Sequence, residues 1–264
     1  MRHVDAGGIR VAYEQKGSGP AVLLLHGGLA DHREWAGQLE LAGEFTLIAW
    51  DAPGCGESDD PPDPFGMGDY ADTLAAFLDA IEVERPAVVG LSFGSTLALE
   101  LACRHPARLR ALVLVSAYAG WAGSLPPAEV EERYTAMLAA LDGPPDELVR
   151  DFVATLHGDG TPPAIVEGIA AMAAEFRPAP TRTMLRAMAE CDLRPALPSV
   201  TVPTLLLHGG LDVRSPLRAA EEIHAAIRGS TLTVLADARH QLNVEAADET
   251  TAHLRAFLRS LPRR

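Results

Sequence analysis

The chain has 264 residues, room for one medium domain with an inserted subdomain and too long for a disulfide-stapled mini-protein. Apolar residues make up 48% and charged residues 22%, which excludes a disordered or fibrous chain. Acidic side chains number 36 against 22 basic ones, and the formal charge of −14 repels phosphate backbones and anionic membranes.

The segment before Pro20 is charged and lacks an apolar h-region, so no signal peptide is expected. Strands are predicted at Arg10–Tyr13, Ala21–His26, Phe45–Trp50, Ala87–Leu91, Ala111–Ser116, Thr204–His208 and Thr231–Leu235. Several are apolar throughout (AVLLLH, LRALVLVS, TLLLH), the pattern of strands covered on both faces in a parallel sheet. Helical periodicity recurs at 69–82, 93–105, 216–228 and 245–260, and the first of these aligns Tyr70, Leu74, Phe77, Leu78 and Ile81 on one face. Strand–helix alternation of this kind predicts an α/β fold with a doubly wound, mostly parallel sheet flanked by helices.

The alternation lapses over residues 118–197. No strand is predicted there, only helical stretches divided by prolines at 126–127, 144–145, 162–163, 178 and 180. The reading is a helical cap of residues 118–197 inserted into a core made of 1–117 and 198–264, lying over the carboxyl edge of the sheet; a plain helical elaboration is the alternative. The longest apolar runs, Ala21–Leu25 and Leu109–Val115, fall far short of the roughly 20 residues that span a bilayer. Cys55, Cys103 and Cys191 form an odd, widely spaced set that fits a reducing cytoplasm better than disulfides or a zinc site.

The segment that carries most chemistry is Gly90-Leu91-Ser92-Phe93-Gly94, a G-x-S-x-G run between a strand and a helix. A sharp turn there lifts the Ser92 hydroxyl out of the sheet edge beside a helix N-terminus, where a developing anion is favoured. The plain alternative is a serine that only caps the helix. Nine histidines compete as its base: His3, His26, His32, His105, His157, His208, His224, His240 and His253. His240 is selected because it follows a strand end downstream of the serine; His224 and His253 lie inside helices, His105 ends one, and His26 and His208 end strands. Asp212, on the loop after the Thr204–His208 strand, is the expected orienting carboxylate, with a simple turn aspartate as its alternative and Asp237 as a rival. His26-Gly27-Gly28 lets backbone N–H groups approach a substrate oxygen, so the N–H groups of Gly28 and Phe93 form the predicted oxyanion hole, with Leu29 in reserve. No phosphate-binding glycine loop and no metal-ligand spacing stands out.

These motifs resemble the α/β-hydrolase superfamily over nearly the whole chain: LLLHGG at 23–28, DAPGCGESD at 51–59, GLSFG at 90–94, RHPARLRALVLVSA at 104–117, VPTLLLHGGLD at 202–212 and RHQLNVEAAD at 239–248. The resemblance is to its cap-bearing branch of enol-lactonases, C–C bond hydrolases, esterases and cofactor-free haloperoxidases. It implies Ser92 as nucleophile, Asp212 as acid and His240 as base, Asp51 as a structural residue and Glu245 as a packing residue of the last helix. Two positions depart from the family pattern, Arg239 before the histidine and Ser95 after the elbow, each where glycine is usual.

The expected activity is hydrolysis of a small carboxylic ester or lactone through an acyl-enzyme, with no cofactor and no metal. Leu29, Trp35, Tyr118 and Trp121 are expected to line the substrate pocket, together with Met137, Phe152, Met172 and Met184, although aromatic and methionine side chains at helical spacing also pack cores. A small apolar molecule is the expected partner, with no nucleic acid or membrane; monomer and homodimer are both compatible with the sequence. Two other readings remain, a lyase or cyclase that reuses the cavity and a ligand receptor with a vestigial triad.

Overall fold

Apolar runs that leave no polar face can only be satisfied in the middle of a sheet, and that is where these run. The computed structural model describes residues 1–158 and 160–262. Its strands are β1 (Arg2–Asp5), β2 (Arg10–Lys16), β3 (Ala21–Leu25), β4 (Thr46–Trp50), β5 (Ala87–Leu91), β6 (Ala111–Val115), β7 (Thr204–Gly209) and β8 (Thr231–Leu235). They form one eight-stranded sheet in the order β1-β2-β4-β3-β5-β6-β7-β8. β1 pairs antiparallel with β2 and β2 antiparallel with β4, and all other neighbours are parallel. The expected α/β fold with a mostly parallel sheet is therefore the observed one. β5 and β6 are buried at every residue, as their unbroken apolar sequences require.

Strand pleating divides the core in two. Leu23 and Leu25 of β3 face one cluster while Val22 and Leu24 face the other. The first cluster is covered by α1 (Met67–Ala80), α2 (Phe93–Arg104) and α7 (Leu217–Ala226); the second by a 3₁₀ segment (His32–Gly43) and α9 (Ala247–Ser260). On α1, Tyr70, Leu74, Phe77 and Leu78 are completely buried, each contributing about 1.5–3 kcal/mol of apolar transfer. Ile81, expected on the same face, is only half-buried because the helix ends before it.

Between β6 and β7 stand four helices, α3 (Pro127–Asp142), α4 (Pro145–Val153), α5 (Pro163–Ala173) and α6 (Pro178–Glu190), with no strand among the described residues. Each opens on a proline at its first position, where the missing N–H costs nothing and the fixed φ is already helical. The paired prolines thus start helices as much as they stop them. Residue 159 of this stretch, and residues 263–264 at the end of the expected core, lie outside the described residues. None of the described helices is long and apolar enough to cross a membrane, and the three cysteines are unpaired.

Four elements differ from expectation. β1 was not expected, and β2 runs on to Lys16, because Glu14, Gln15 and Lys16 pair through backbone with β4 and show no apolar alternation. The 3₁₀ segment has no helical apolar period. The last predicted helix is split: α8 (Leu242–Glu245) ends at Ala246, whose φ of −121° and ψ of 50° leave the helical region, before α9 begins.

Candidate active site

Ser92 occupies the turn from β5 into α2 with φ 51° and ψ −109°, a conformation that costs a non-glycine residue on the order of 1–3 kcal/mol. The surrounding structure holds it there. Its N–H donates to the Val115 carbonyl at 2.9 Å, and its own carbonyl accepts from the N–H of Ser95 and Thr96 and from Ser95 Oγ at 2.6 Å. Ser95 thus bonds under the turn where the resemblance leads one to expect a glycine. The two glycines are sterically required: a Cβ on Gly90 would stand 2.1 Å from the Gly94 carbonyl oxygen, and one on Gly94 would stand 2.2 Å from that of Leu25. Although Ser92 sits at the N-cap position, its hydroxyl makes no capping bond, so that plain reading does not hold.

His240 lies on the loop after β8, and its backbone is fixed from two directions. Its N–H donates to the Leu156 carbonyl at 3.0 Å and its carbonyl accepts from Ser116 Oγ at 2.7 Å. Nδ1 meets Asp212 Oδ2 at 2.8 Å, with both side chains nearly inaccessible, at 3% and 0%. Asp212 Oδ1 accepts the N–H groups of Arg214 at 2.8 Å and Ser215 at 2.9 Å. Burial pushes the Asp212 carboxyl upward, but the His240 charge, the His240 hydrogen bond and the Ser215 N–H together outweigh it and hold the group below the usual carboxylate range. A carboxylate on Nδ1 keeps the proton on that nitrogen and leaves Nε2 as the basic atom. Asp237 is exposed, makes no hydrogen bond to His240 among the described residues, and does not serve as the orienting group.

Ser92 and His240 face one largely apolar pocket between the carboxyl edge of the sheet and the inserted helices. No direct hydrogen bond joins Ser92 Oγ to the imidazole among the described residues; such contacts commonly tighten only with substrate in place. Gly28 and Phe93 also line the cavity, and neither N–H is taken by an acceptor among the described residues. Phe93 is the first residue of α2, so its N–H has no intrahelical acceptor. Leu29 lines the cavity at a φ of 54°.

Of the expected pocket residues, Leu29, Tyr118, Trp121, Met137, Phe152 and Met184 line this cavity. Trp35 does not. It is fully buried in the second core cluster, with Leu24 and Leu47 among its members, because its 3₁₀ segment packs on the face of β3 and β4 instead of at the carboxyl edge. Met172 lines a smaller neighbouring cavity that shares Leu29 and Met184. Arg239 is absent from the cavity wall; its side chain passes beside Gly158. Glu245 does not pack α9. Its carboxylate receives the N–H of Arg239 and of Gly158, both at 2.8 Å, tying the His240 loop to the segment after α4. Asp51 does hold its loop, accepting N–H groups from His32 and Glu57.

Among the lining residues that the sequence reading did not single out are Glu34, Gln241 and Arg214. Glu34 is buried beneath the glycine loop, where it accepts the Gly27 N–H at 2.7 Å and Gln241 Nε2 at 2.5 Å. Burial pushes its carboxyl up to about 7, more than those two bonds pull it down. Gln241 and Arg214 complete the set, and their proximity to His240 and Asp212 in sequence is the one available hint. Elsewhere Asp31, His32 and Asp51 converge within 4.8 Å, a possible cation set by residue type. Their oxygens are already committed, Asp31 to Arg33 and Asp51 to the His32 ring and two N–H groups.

The assembly can perform nucleophilic acyl chemistry: a cavity-facing hydroxyl, a basic nitrogen set by a buried carboxylate, and two open N–H groups in one apolar chamber. A family profile described as the alpha/beta hydrolase fold matches residues 20–161. The chain is 31% identical to 2-hydroxymuconate semialdehyde hydrolase of Pseudomonas sp. strain CF600, over 97% of this chain and 93% of that protein. Among solved structures, a thermophilic esterase from Thermogutta terrifontis superposes with a TM-score of 0.88 at 29% identity, covering 98% of this chain and 97% of that one. The enol-lactonase from Burkholderia xenovorans LB400 superposes with a TM-score of 0.90 over 98% of this chain and 100% of that one; at 22% identity this likeness speaks for the fold alone.

Proposed function

We propose, from the premise that this chain belongs to the alpha/beta hydrolase fold family, that it is a serine hydrolase of small carboxylic esters or lactones. The observation that carries the reading is the pairing of a strained, cavity-facing Ser92 with a His240 held through Nδ1 by buried Asp212. Ser92 Oγ attacks the carbonyl carbon while His240 Nε2 takes its proton. The oxyanion that forms is met by the N–H groups of Gly28 and Phe93, and removal of one such donor typically costs about 10²–10³ in kcat. His240 returns the proton to the leaving alkoxide, leaving an acyl-Ser92 ester. Water, deprotonated by the same nitrogen, then releases the acid. Helices α3–α6 act as a cap: Met137, Phe152 and Met184 supply the chamber's apolar side, and the Leu156 carbonyl, bonded to the His240 N–H, couples the cap to the base.

A fluorophosphonate probe tests the reading. It should label Ser92 alone, and Ser92→Ala should abolish labelling and lower ester turnover by about 10⁴-fold or more. Undiminished turnover by a clean Ser92→Ala preparation would refute it. A second reading, hydrolysis of a carbon–carbon bond, is favoured by the relative named above that acts on 2-hydroxymuconate semialdehyde. Turnover of that compound at a kcat/KM above that of p-nitrophenyl valerate would shift the reading to it, with the same three side chains.

A further inference from the structure

Arg214 stands on the loop after β7, two residues past Asp212, in the wall of the cavity that holds Ser92 and His240. Its backbone is fixed by Asp212 Oδ1 on the N–H, and by the Tyr118 hydroxyl and Arg133 Nη1 on the carbonyl. The guanidinium is fixed too. Nη1 donates to Thr155 Oγ1 at 2.8 Å, and Cζ lies 4.6 Å from the centre of the Phe152 ring. Both of those partners are uncharged. Among the described residues no carboxylate comes within 4.0 Å of this guanidinium, and Nε and Nη2 meet no acceptor.

That isolation sets Arg214 apart from the arginines of the inserted helices. Arg133, Arg177, Arg182 and Arg186, on or beside the inserted helices, each have an acidic partner. The two acids nearest the chemistry cannot neutralise Arg214: Asp212 is committed to His240 and two N–H groups, and Glu34 to Gly27 and Gln241. Burial disfavours the unpaired cation and pulls its pKa below the usual range, against the pull of Tyr118 and Asp212. The unused Nε–Nη2 edge is a planar two-donor fork whose geometry matches a carboxylate. No second cation lines the chamber among the described residues, so one negative charge is the complement that fits.

We propose that the substrate carries an ionised carboxylate besides its scissile carbonyl, and that Arg214 binds it through Nε and Nη2. This rests on the hydrolase reading of Ser92. It makes Arg214 a specificity-determining residue, and the substrate class becomes half-esters of dicarboxylic acids or lactones bearing an acid group. The competing account is mechanical: Arg214 merely pins α4 through Thr155 and Phe152, in which case its loss should affect every substrate alike.

Two esters of matched length separate the accounts, p-nitrophenyl valerate and mono-p-nitrophenyl glutarate, which differ by a terminal methyl against a terminal carboxylate. The wild-type enzyme should favour the glutarate ester in kcat/KM. Arg214→Gln should lower the glutarate-to-valerate ratio roughly 10- to 100-fold, and Arg214→Lys should restore part of it. A wild-type preference for valerate, or an unchanged ratio in Arg214→Gln, would overturn the proposal. Binding supplies an arm independent of turnover and of the Arg214 variants: monomethyl glutarate should raise the melting temperature of Ser92→Ala, and methyl valerate at equal concentration should not. If neither ester is turned over and Ser92 resists the phosphonate, the hydrolase reading fails, while this arm alone upholds or overturns the anion site.

Discussion

Replacing Asp212 by Asn would separate the charge of the carboxylate from its shape. Oδ1 must keep the N–H groups of Arg214 and Ser215, since an amide NH₂ turned toward two donors would leave all of them unpaired. The amide nitrogen is then forced onto His240 Nδ1, 2.8 Å away, where it can only donate. The imidazole must answer with an unprotonated Nδ1, so its proton moves to Nε2 and the base can no longer accept from Ser92. A wrong tautomer of this kind in a serine triad lowers kcat by roughly 10⁴-fold, equivalent to about 5 kcal/mol of barrier. The fold should survive with a loss of about 1–3 kcal/mol, because both N–H bonds remain and only their ionic assistance is lost.

The same substitution has a pH signature. Asp212 has a depressed folded pKa, so the stability it contributes is present above the ordinary carboxylate pKa and disappears as pH falls through the folded value. Asp212→Asn should therefore weaken the acid-induced loss of stability that the wild type shows below that ordinary value. Steady-state hydrolysis of p-nitrophenyl valerate and thermal melts from pH 3 to 8 measure both effects. A folded Asp212→Asn protein with kcat within about tenfold of wild type would show that the carboxylate does not set the tautomer.

Glu34 predicts a slope of the opposite sign. With its carboxyl raised to about 7 from an ordinary 4.5, wild-type stability should decline as pH rises between those values, by on the order of 3 kcal/mol in all. Glu34→Gln should flatten that decline in urea melts, and equal slopes in the two proteins would contradict it. Glycines give a contrasting pair. Gly94→Ala drives a Cβ to 2.2 Å from the Leu25 carbonyl and should cost more than about 3 kcal/mol or prevent folding, whereas Gly168→Ala, exposed on α5 with nothing within 4 Å, should raise stability by up to about 1 kcal/mol. Chemical denaturation of both variants checks the sign of each.

Much of this architecture was written in short stretches. Fully apolar runs such as Ala87–Leu91 and Ala111–Val115 are accommodated as strands covered on both faces; the first has the expected ends, and the second stops at Val115, one residue short of the expected Ser116. Gly90 and Gly94 announce the elbow because the close backbone approach they permit lies within a few residues of Ser92. His240 and Asp212 were found from their places after β8 and β7, since loops at one end of a parallel sheet must gather on one edge.

What escaped the sequence depends on contacts between distant segments. Whether Trp35 points to the cavity or into the second core cluster is decided by how the 3₁₀ segment packs on β3 and β4, and the residue type is the same in either place. Glu34 is an ordinary surface residue by composition; it becomes a near-neutral acid only because Gly27, Gln241 and the fold above it exclude water. Glu245 ties two loops instead of packing a helix, because the break at Ala246 ends α8 beside Arg239 and Gly158. Arg214 is one of many arginines in the chain, and its lack of an acidic neighbour among the described residues is a property of the assembled cavity wall alone. Local sequence sets backbone conformation and which faces are apolar, since those follow from each residue and its near neighbours. Solvation and charge pairing are sums over everything that packs around a group, and only the tertiary structure brings those terms together.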